Sequence, residues 1–383
     1  MRTKVEGRRK YNIIYIIAII IVLFSNFFSN KLSILLMLKP NYKFKNETEI
    51  HFIDVGQGDA IAIKFDNGKT MLIDTGTIEY QKKLGYYLDN IILDKSKTID
   101  YLVLTHTDID HSGNMMYILE NYDVKTFYRP MIYSSLEDPS TLNTNDWYDR
   151  IVSYAKEKEI EMIFNEQGLS IKDGFNSFTW LSPVNISHDV VLESNEYSPV
   201  IRFDYKNHSA LFTGDISSEI ENNLLFHYSD TGMLDVDILK VAHHGSAYST
   251  NEKFLEEVSP EYACISVGEN TYGHPANQLL SRILDYDKVS NSNLYSNLYT
   301  TEQKGNVIFT LSWNIEVDFI DQIDNYSFNN YYTYSIIIIV VIVIFLTKPY
   351  YKAYKKDIRF VLQNKRYKNL KEKENNKNEG LKL

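Results

Sequence analysis

Four side chains able to bind a metal fall within six residues at His106-Thr107-Asp108-Ile109-Asp110-His111. Imidazole and carboxylate together suit a borderline divalent cation such as zinc or manganese, and close spacing on one loop lets alternate side chains converge on a metal pair. The bland alternative is a polar turn in which Asp108 or Asp110 caps the following helix. Three later segments repeat one arrangement, an apolar run, a small residue and then a ligand-type side chain: Thr213-Gly214-Asp215, His243-His244-Gly245-Ser246 and Gly273-His274-Pro275. Asp215 alone has its own bland reading, the cap of a helix from Ile216 to Leu225. His51, His188, His208 and His227 lie outside this pattern and are expected to be surface or packing residues.

The elements that must position these groups are short β runs alternating with helical stretches. Strands are expected over Glu49–Val55, Ala60–Phe65 and Thr70–Ile73, joined by Gly56-Gln57-Gly58-Asp59 and by the hairpin turn Asp66-Asn67-Gly68-Lys69. Further strands are expected at Tyr101–Leu104, Phe178–Leu181, Val200–Tyr205, Ser209–Phe212, Asp237–Val241, Tyr262–Val267 and Asn306–Trp313. Helices are expected at Trp147–Lys156, Phe254–Val258 and Gln278–Tyr286. Hairpins mixed with strand–helix units point to a mixed sheet system covered by helices. The turn Val55 to Asp59 is expected to floor the site, with Asp59 and Asp74 ordering the ligands from behind.

The order HFIDVGQGDAIAI, LIDTG, THTDIDHSGN, LFTGDI, LKVAHHGS and ISVGENTYGHP resembles the metallo-β-lactamase superfamily. Within it the chain is similar to the hydrolase domain of competence DNA-uptake proteins of the ComEC/Rec2 type. The resemblance covers nearly all of residues 48–318 and implies an α+β fold, an αββα sandwich with a metal site at one edge of its two sheets. By motif match it implies His106 and Asp108 in a first metal site, Asp110 and His111 in a second, Asp215 bridging and His274 closing the second. His244 is a further implied ligand and His243 is left open. The cofactors would be two divalent metal ions, Zn2+ or Mn2+. Two departures stand out. The usual His-x-His-x-Asp-His loop reads His-x-Asp-x-Asp-His here, and the superfamily's separate third-motif histidine has no clear counterpart between Trp180 and Asn207.

Outside residues 45–325 the chain changes character. Five basic residues stand against one acidic in residues 1–10, and residues 11–30 carry no charge. That run is long enough to cross a bilayer as a helix, and its exit, Phe27-Phe28-Ser29-Asn30, lacks small residues spaced for signal cleavage. A second uncharged run at 329–347, with an Ile/Val core flanked by tyrosines, is also of membrane length. The tail 348–383 holds twelve basic residues against four acidic. The expectation is therefore a cell-membrane protein with two transmembrane helices flanking the sandwich, both basic ends cytoplasmic and the catalytic domain extracytoplasmic. The tail is expected to be solvated or to skim membrane lipid rather than to bind nucleic acid.

The formal charge of −10 averages these parts: removing the two basic ends leaves 23 basic against 45 acidic residues, a net −22. One cysteine, Cys264, excludes a disulfide framework and a Cys-rich zinc module. Divalent ions serve phosphodiester, lactone, thioester and amide hydrolysis alike, with Asp110 as the expected carboxylate orienting water. The resemblance tilts the choice towards a phosphodiesterase or nuclease, while the acidic charge disfavours a polyanion such as DNA. An envelope phosphodiester or lactone hydrolase, and a non-catalytic partner of a membrane channel, remain the alternatives.

Overall fold

A computed structural model describes residues 44–320, apart from 136, 139–144 and 184–192, with a few more between 356 and 366. The two uncharged runs at 11–30 and 329–347 lie outside the described residues, among which no helix is long and apolar enough to cross a membrane. Lys39–Ile323 forms one compact unit.

Two sheets carry the unit. The first has the order β15-β14-β1-β2-β3-β4-β5-β6 and the second β13-β12-β11-β10-β9-β8-β7. The first contains β1 (Thr48–Phe52), β2 (Ile61–Lys64), β3 (Thr70–Ile73), β4 (Thr98–Val103), β5 (Asp123–Arg129), β6 (Glu161–Phe164), β14 (Asn306–Leu311) and β15 (Ile315–Ile320). The second contains β7 (Ser170–Asp173), β8 (Asn176–Trp180), β9 (Ile201–Tyr205), β10 (His208–Phe212), β11 (Ile238–Lys240), β12 (Tyr262–Ile265) and β13 (Leu298–Thr300).

Period-two alternation sets the faces. Along β9, Ile201, Phe203 and Tyr205 are buried between the sheets while Arg202 and Asp204 point away. Phe203 stacks on Phe178 of β8 with ring centroids 4.5 Å apart. Helices cover the outer faces. One of them, α1 (Asp146–Glu157), starts at Asn145, whose side chain accepts from the amides of Trp147 and Tyr148, and buries Tyr148, Ile151, Val152 and Ala155 at helical spacing. On the second sheet α2 (Ser218–Tyr228), α3 (Glu252–Val258) and α4 (Asn277–Ser290) bury Leu224, Phe254, Leu255, Leu279 and Ile283. One apolar cluster thus lies between the sheets and one under each helical layer, the expected αββα sandwich.

Ladder direction decides where the functional loops meet. Strands β3 and β4 are parallel, as are β10, β11 and β12. Each parallel group therefore delivers its carboxyl-terminal loops to one edge, where ligand crevices of α/β sheets form. The helix expected from Ile216 starts instead at Ser218, with Ser217 at the capping position, so Asp215 is not its cap. Strands β5, β6, β7, β13 and β15 were not among those expected. β7 and β15 expose part of a face, so their charged residues mask the apolar pattern.

Candidate metal centre

The loop after β4 begins at Leu104 and Thr105, and the one after β3 begins at Asp74. Asp74 adopts φ 58° and accepts from the Thr105 amide at 2.8 Å and the Thr105 hydroxyl at 2.7 Å. With that hydroxyl proton committed, Thr105 Oγ1 receives Nδ1–H of His106 at 3.0 Å. His111 Nδ1 donates to Asp74 Oδ2 at 2.8 Å. Across the edge, His244 Nδ1 donates to the Ser266 carbonyl at 2.7 Å. All three imidazoles are held from behind through Nδ1, which leaves Nε2 of each facing inward, the arrangement typical of metal-ligating histidines.

The inward atoms crowd together. His111 Nε2 lies 3.3 Å from His244 Nε2. Asp215 Oδ2 is 3.4 Å from the first and 3.2 Å from the second, and Asp110 Oδ2 is 3.4 Å from His244 Nε2. His106 Nε2 and Asp215 Oδ1 are buried with no hydrogen-bond partner. Donor atoms of His106, His111 and Asp215, and separately of Asp110, His111 and His244, fall within 4.8 Å of one another. Lone pairs converging at such distances repel unless a positive charge sits among them. Protons on the imidazoles can supply it. Burial opposes protonation of His111 and His244, but Asp215, with Asp74 for His111 and Asp110 for His244, outweighs it, holding His111 well above the usual histidine range and pushing His244 up to about 10. Burial and the neighbouring His111 hold His106 well below that range, neutral and able to ligate. Burial alone would raise the Asp215 pKa, yet His244 and His111 keep it well below the ordinary carboxylate range. The donor set fits a divalent cation in place of those protons.

Backbone geometry is specialised at the same places. Gly58, at φ 147°, faces the Asp110 carbonyl so closely that any side chain there would collide with it. Gly214, at φ 52°, lets Asp215 turn inward, and a Cβ there would stand 2.8 Å from the Ser198 Cβ. His243 and His244 both adopt φ 51°, a left-handed conformation costing about 1–3 kcal/mol each for a non-glycine residue, and one that aims His244 into the cluster.

Residues 53–174 match the family described as Metallo-beta-lactamase superfamily. The chain carries a metallo-β-lactamase domain. It is 31% identical over 252 residues to ComE operon protein 3 of Bacillus subtilis, covering 61% of this chain and 30% of that protein. Recombination protein 2 of Haemophilus influenzae is 32% identical, with 62% and 26% covered. Competence protein ComA of Neisseria gonorrhoeae is 27% identical, with 64% and 31% covered. The chain thus spans less than a third of the length of these competence proteins.

Of the sequence-expected ligands of this metallo-β-lactamase domain, the fold brings His106, Asp110, His111, Asp215 and His244 together. Asp108 stands at the mouth, its side chain 48% exposed and Oδ2 3.8 Å from His106 Nε2. It occupies a helix N-cap position without making a cap hydrogen bond. His274 is half-buried further out, its ring 5.6 Å from that of His243 and 5.8 Å from that of the exposed Tyr272. His243 Nε2 reaches to 3.9 Å of Asp215 Oδ2. Asp74 holds His111 from behind as expected, while Asp59 lies 3.6 Å from His244 Nδ1 and 3.8 Å from His111 Nδ1 without a hydrogen bond to either. In the interval where the third-motif histidine has no clear counterpart, and whose His188 lies outside the described residues, the structure places Ser198, whose Oγ accepts from the Asp215 amide at 3.2 Å and lies 3.3 Å from His106 Nδ1. Sequence reading missed Ser198, Thr105, Ser266 and Lys240. Lys240 alone left a local signal, a charged residue at the inward-facing parity of an apolar strand.

Proposed function

We propose that this chain is a membrane-anchored, extracytoplasmic metal-dependent hydrolase, a phosphodiesterase or nuclease related to the competence DNA-uptake proteins it resembles. The observation that carries the reading is the convergence of three Nε2 atoms, each anchored through Nδ1, on the Asp215 and Asp110 carboxylates. His106, His111, His244, Asp215 and Asp110 would hold the metal ions, with Asp108 and His274 reaching in from the rim. Bound divalent cations supply water activation near neutral pH and stabilise charge developing on a phosphoryl oxygen.

The chain's own groups do the rest. Asp215 keeps its charge in a buried site because His244 and His111 face it. Burial raises the Asp110 pKa, but the His244 hydrogen bond and the charges around it lower it overall, so this carboxylate is ionised; its side chain is 29% exposed, placing it to hydrogen-bond and orient incoming water. Thr105 and Asp74 tie up Nδ1 of His106 and His111, so that Nε2 is the atom each ring offers to a cation. Gly58 and Gly214 admit the close backbone approaches that bring Asp110 and Asp215 to the cluster.

The net −22 outside the basic ends favours a second reading, an envelope phosphodiester or lactone hydrolase acting on a smaller or less charged substrate. Purified full-length chain in detergent, loaded with Mn2+ or Zn2+, should hydrolyse bis(p-nitrophenyl) phosphate and single- or double-stranded DNA; turnover of a lactone alone favours the second reading, and no metal-dependent turnover at all removes both in favour of a non-catalytic channel partner. Anchoring rests on the two uncharged runs and their basic flanks. Protease added outside intact cells should digest the domain and spare a tag fused after Leu383; the reverse pattern would invert the topology.

A further inference from the structure

Strand β11 sends Ile238 into the cluster between the sheets and Leu239 into the cluster under the helices. Parity therefore places Lys240 between the sheets, where it is 1% exposed. A buried ammonium is tolerated only when it is paired and hydrogen-bonded. Lys240 Nζ donates to the carbonyls of Gly214 at 3.0 Å and Val241 at 3.2 Å. It also lies 2.8 Å from Asp59 Oδ2 and 3.9 Å from Asp215 Oδ1. Those two carbonyls leave one ammonium proton over, and both remaining neighbours are carboxylates of the metal centre.

Beside it is a third group of potential ligands. Donor atoms of Asp59, Asp74 and His111 fall within 4.8 Å of one another, fully buried behind the inward cluster. His111 Nδ1 is 3.8 Å from Asp59 Oδ2 and His244 Nδ1 is 3.6 Å from Asp59 Oδ1. Two carboxylates and an imidazole this close are a competent cation trap.

We propose that Lys240 is a resident cation that closes this rear trap, pinning Asp59 as a non-ligand and confining divalent ions to the inward cluster. The inference rests on the metal-centre reading above. A divalent ion at the rear trap would sit close to the Lys240 ammonium, and like charges in a buried, poorly screened setting repel strongly. The same ammonium offsets the negative charge that Asp59 and Asp74 would otherwise concentrate behind His111. Lys240 acts through Asp59 and Asp215 and is a positioning residue.

The test uses full-length chain in detergent and titrates Mn2+ by calorimetry, with bound metal counted by elemental analysis. Lys240→Met, of similar length and no charge, should bind at least one more Mn2+ per chain than wild type, or bind its Mn2+ at least about 10-fold more tightly. Adding Asp59→Asn to that variant should abolish the gain, because the trap then has lost a ligand. Asp59→Asn alone leaves Asp215 as the carboxylate facing the ammonium, which then competes with metal for it, and should bind Mn2+ more weakly than the double variant. A Lys240→Met protein with unchanged or weaker Mn2+ binding overturns the proposal. If Lys240→Met does not fold, the comparison of Asp59→Asn with the double variant decides: a double variant that binds no more tightly than Asp59→Asn overturns it. Wild-type chain that binds no divalent ion would instead sink the metal-centre reading, which separates the two failures.

Discussion

The inner wall of the centre and its rim are built on different terms. On the inner wall His106, His111 and His244 are each tied through Nδ1 to a buried oxygen, and the Asp215 backbone amide donates to the Ser198 hydroxyl. At the rim Asp108 has no cap bond, His274 Nδ1 has no hydrogen-bond partner, and Tyr272 is largely exposed. Anchored side chains hold their geometry before a ligand arrives, whereas unanchored ones must lose side-chain freedom when it does. The inner wall is therefore where metal affinity should reside, and the rim where substrate and product come and go.

The sharpest way to break that contrast is Asp215→Asn, which keeps the shape but removes the charge that holds two cations together. The helix after it begins at Ser218, so no capping bond is lost. The variant should remain folded, bind fewer metal ions and lose at least about 10²-fold in turnover of bis(p-nitrophenyl) phosphate. Unchanged metal content and rate would leave a single-ion or inert site.

Next in size is Asp59→Ala, which acts through neighbours and should weaken metal binding about 10- to 100-fold without abolishing it. Complete loss of metal from the folded variant would make Asp59 a ligand and move the wall backwards. At the rim, His274→Gln should weaken metal binding by no more than about 10-fold. A larger loss, read by the same titration, would show the rim closing over the ion and erase the distinction.

The smallest effect concerns the support of the wall. Glu221 is buried and accepts from the amides of Thr250 and Asn251 and the Asn251 side chain, bracing the loop that follows His244. Burial pushes its pKa up to about 7 against the partial opposition of those bonds. A carboxyl whose folded pKa is raised adds stability that is full below its unfolded value near 4.5 and is lost as pH rises through about 7. Unfolding of wild type and Glu221→Gln compared from pH 5 to 8 should show the decline smaller in the variant by on the order of 2 kcal/mol, whatever its absolute stability. An unaltered slope in the variant would place the titrating group elsewhere.

Much of the inner wall was legible in the sequence because each ligand follows an apolar run, and a run of alternating or continuous apolar residues ends where the sheet ends. Leu102-Val103-Leu104 before His106, and Ala210-Leu211-Phe212 before Asp215, carry that signal locally. Strands of mixed polarity such as Ile315–Ile320 carried none, because their exposed faces accept charge.

The ligand types and their strand-end positions thus followed from the order of residues alone, since each depends on neighbours a few positions away; the local pattern gave a mixed sheet system covered by helices, and the αββα layering came with the family resemblance. Tertiary structure decided which ligands share an inner wall and which wait at a rim, and it supplied the groups that hold them. Ser266 acts through a carbonyl that every residue possesses, and Ser198 through a hydroxyl 92 residues from His106. Lys240 reaches Asp59 across the space between two sheets. Such contacts leave no periodic trace in the chain, because they are set by how parallel strands bring remote loops to one edge.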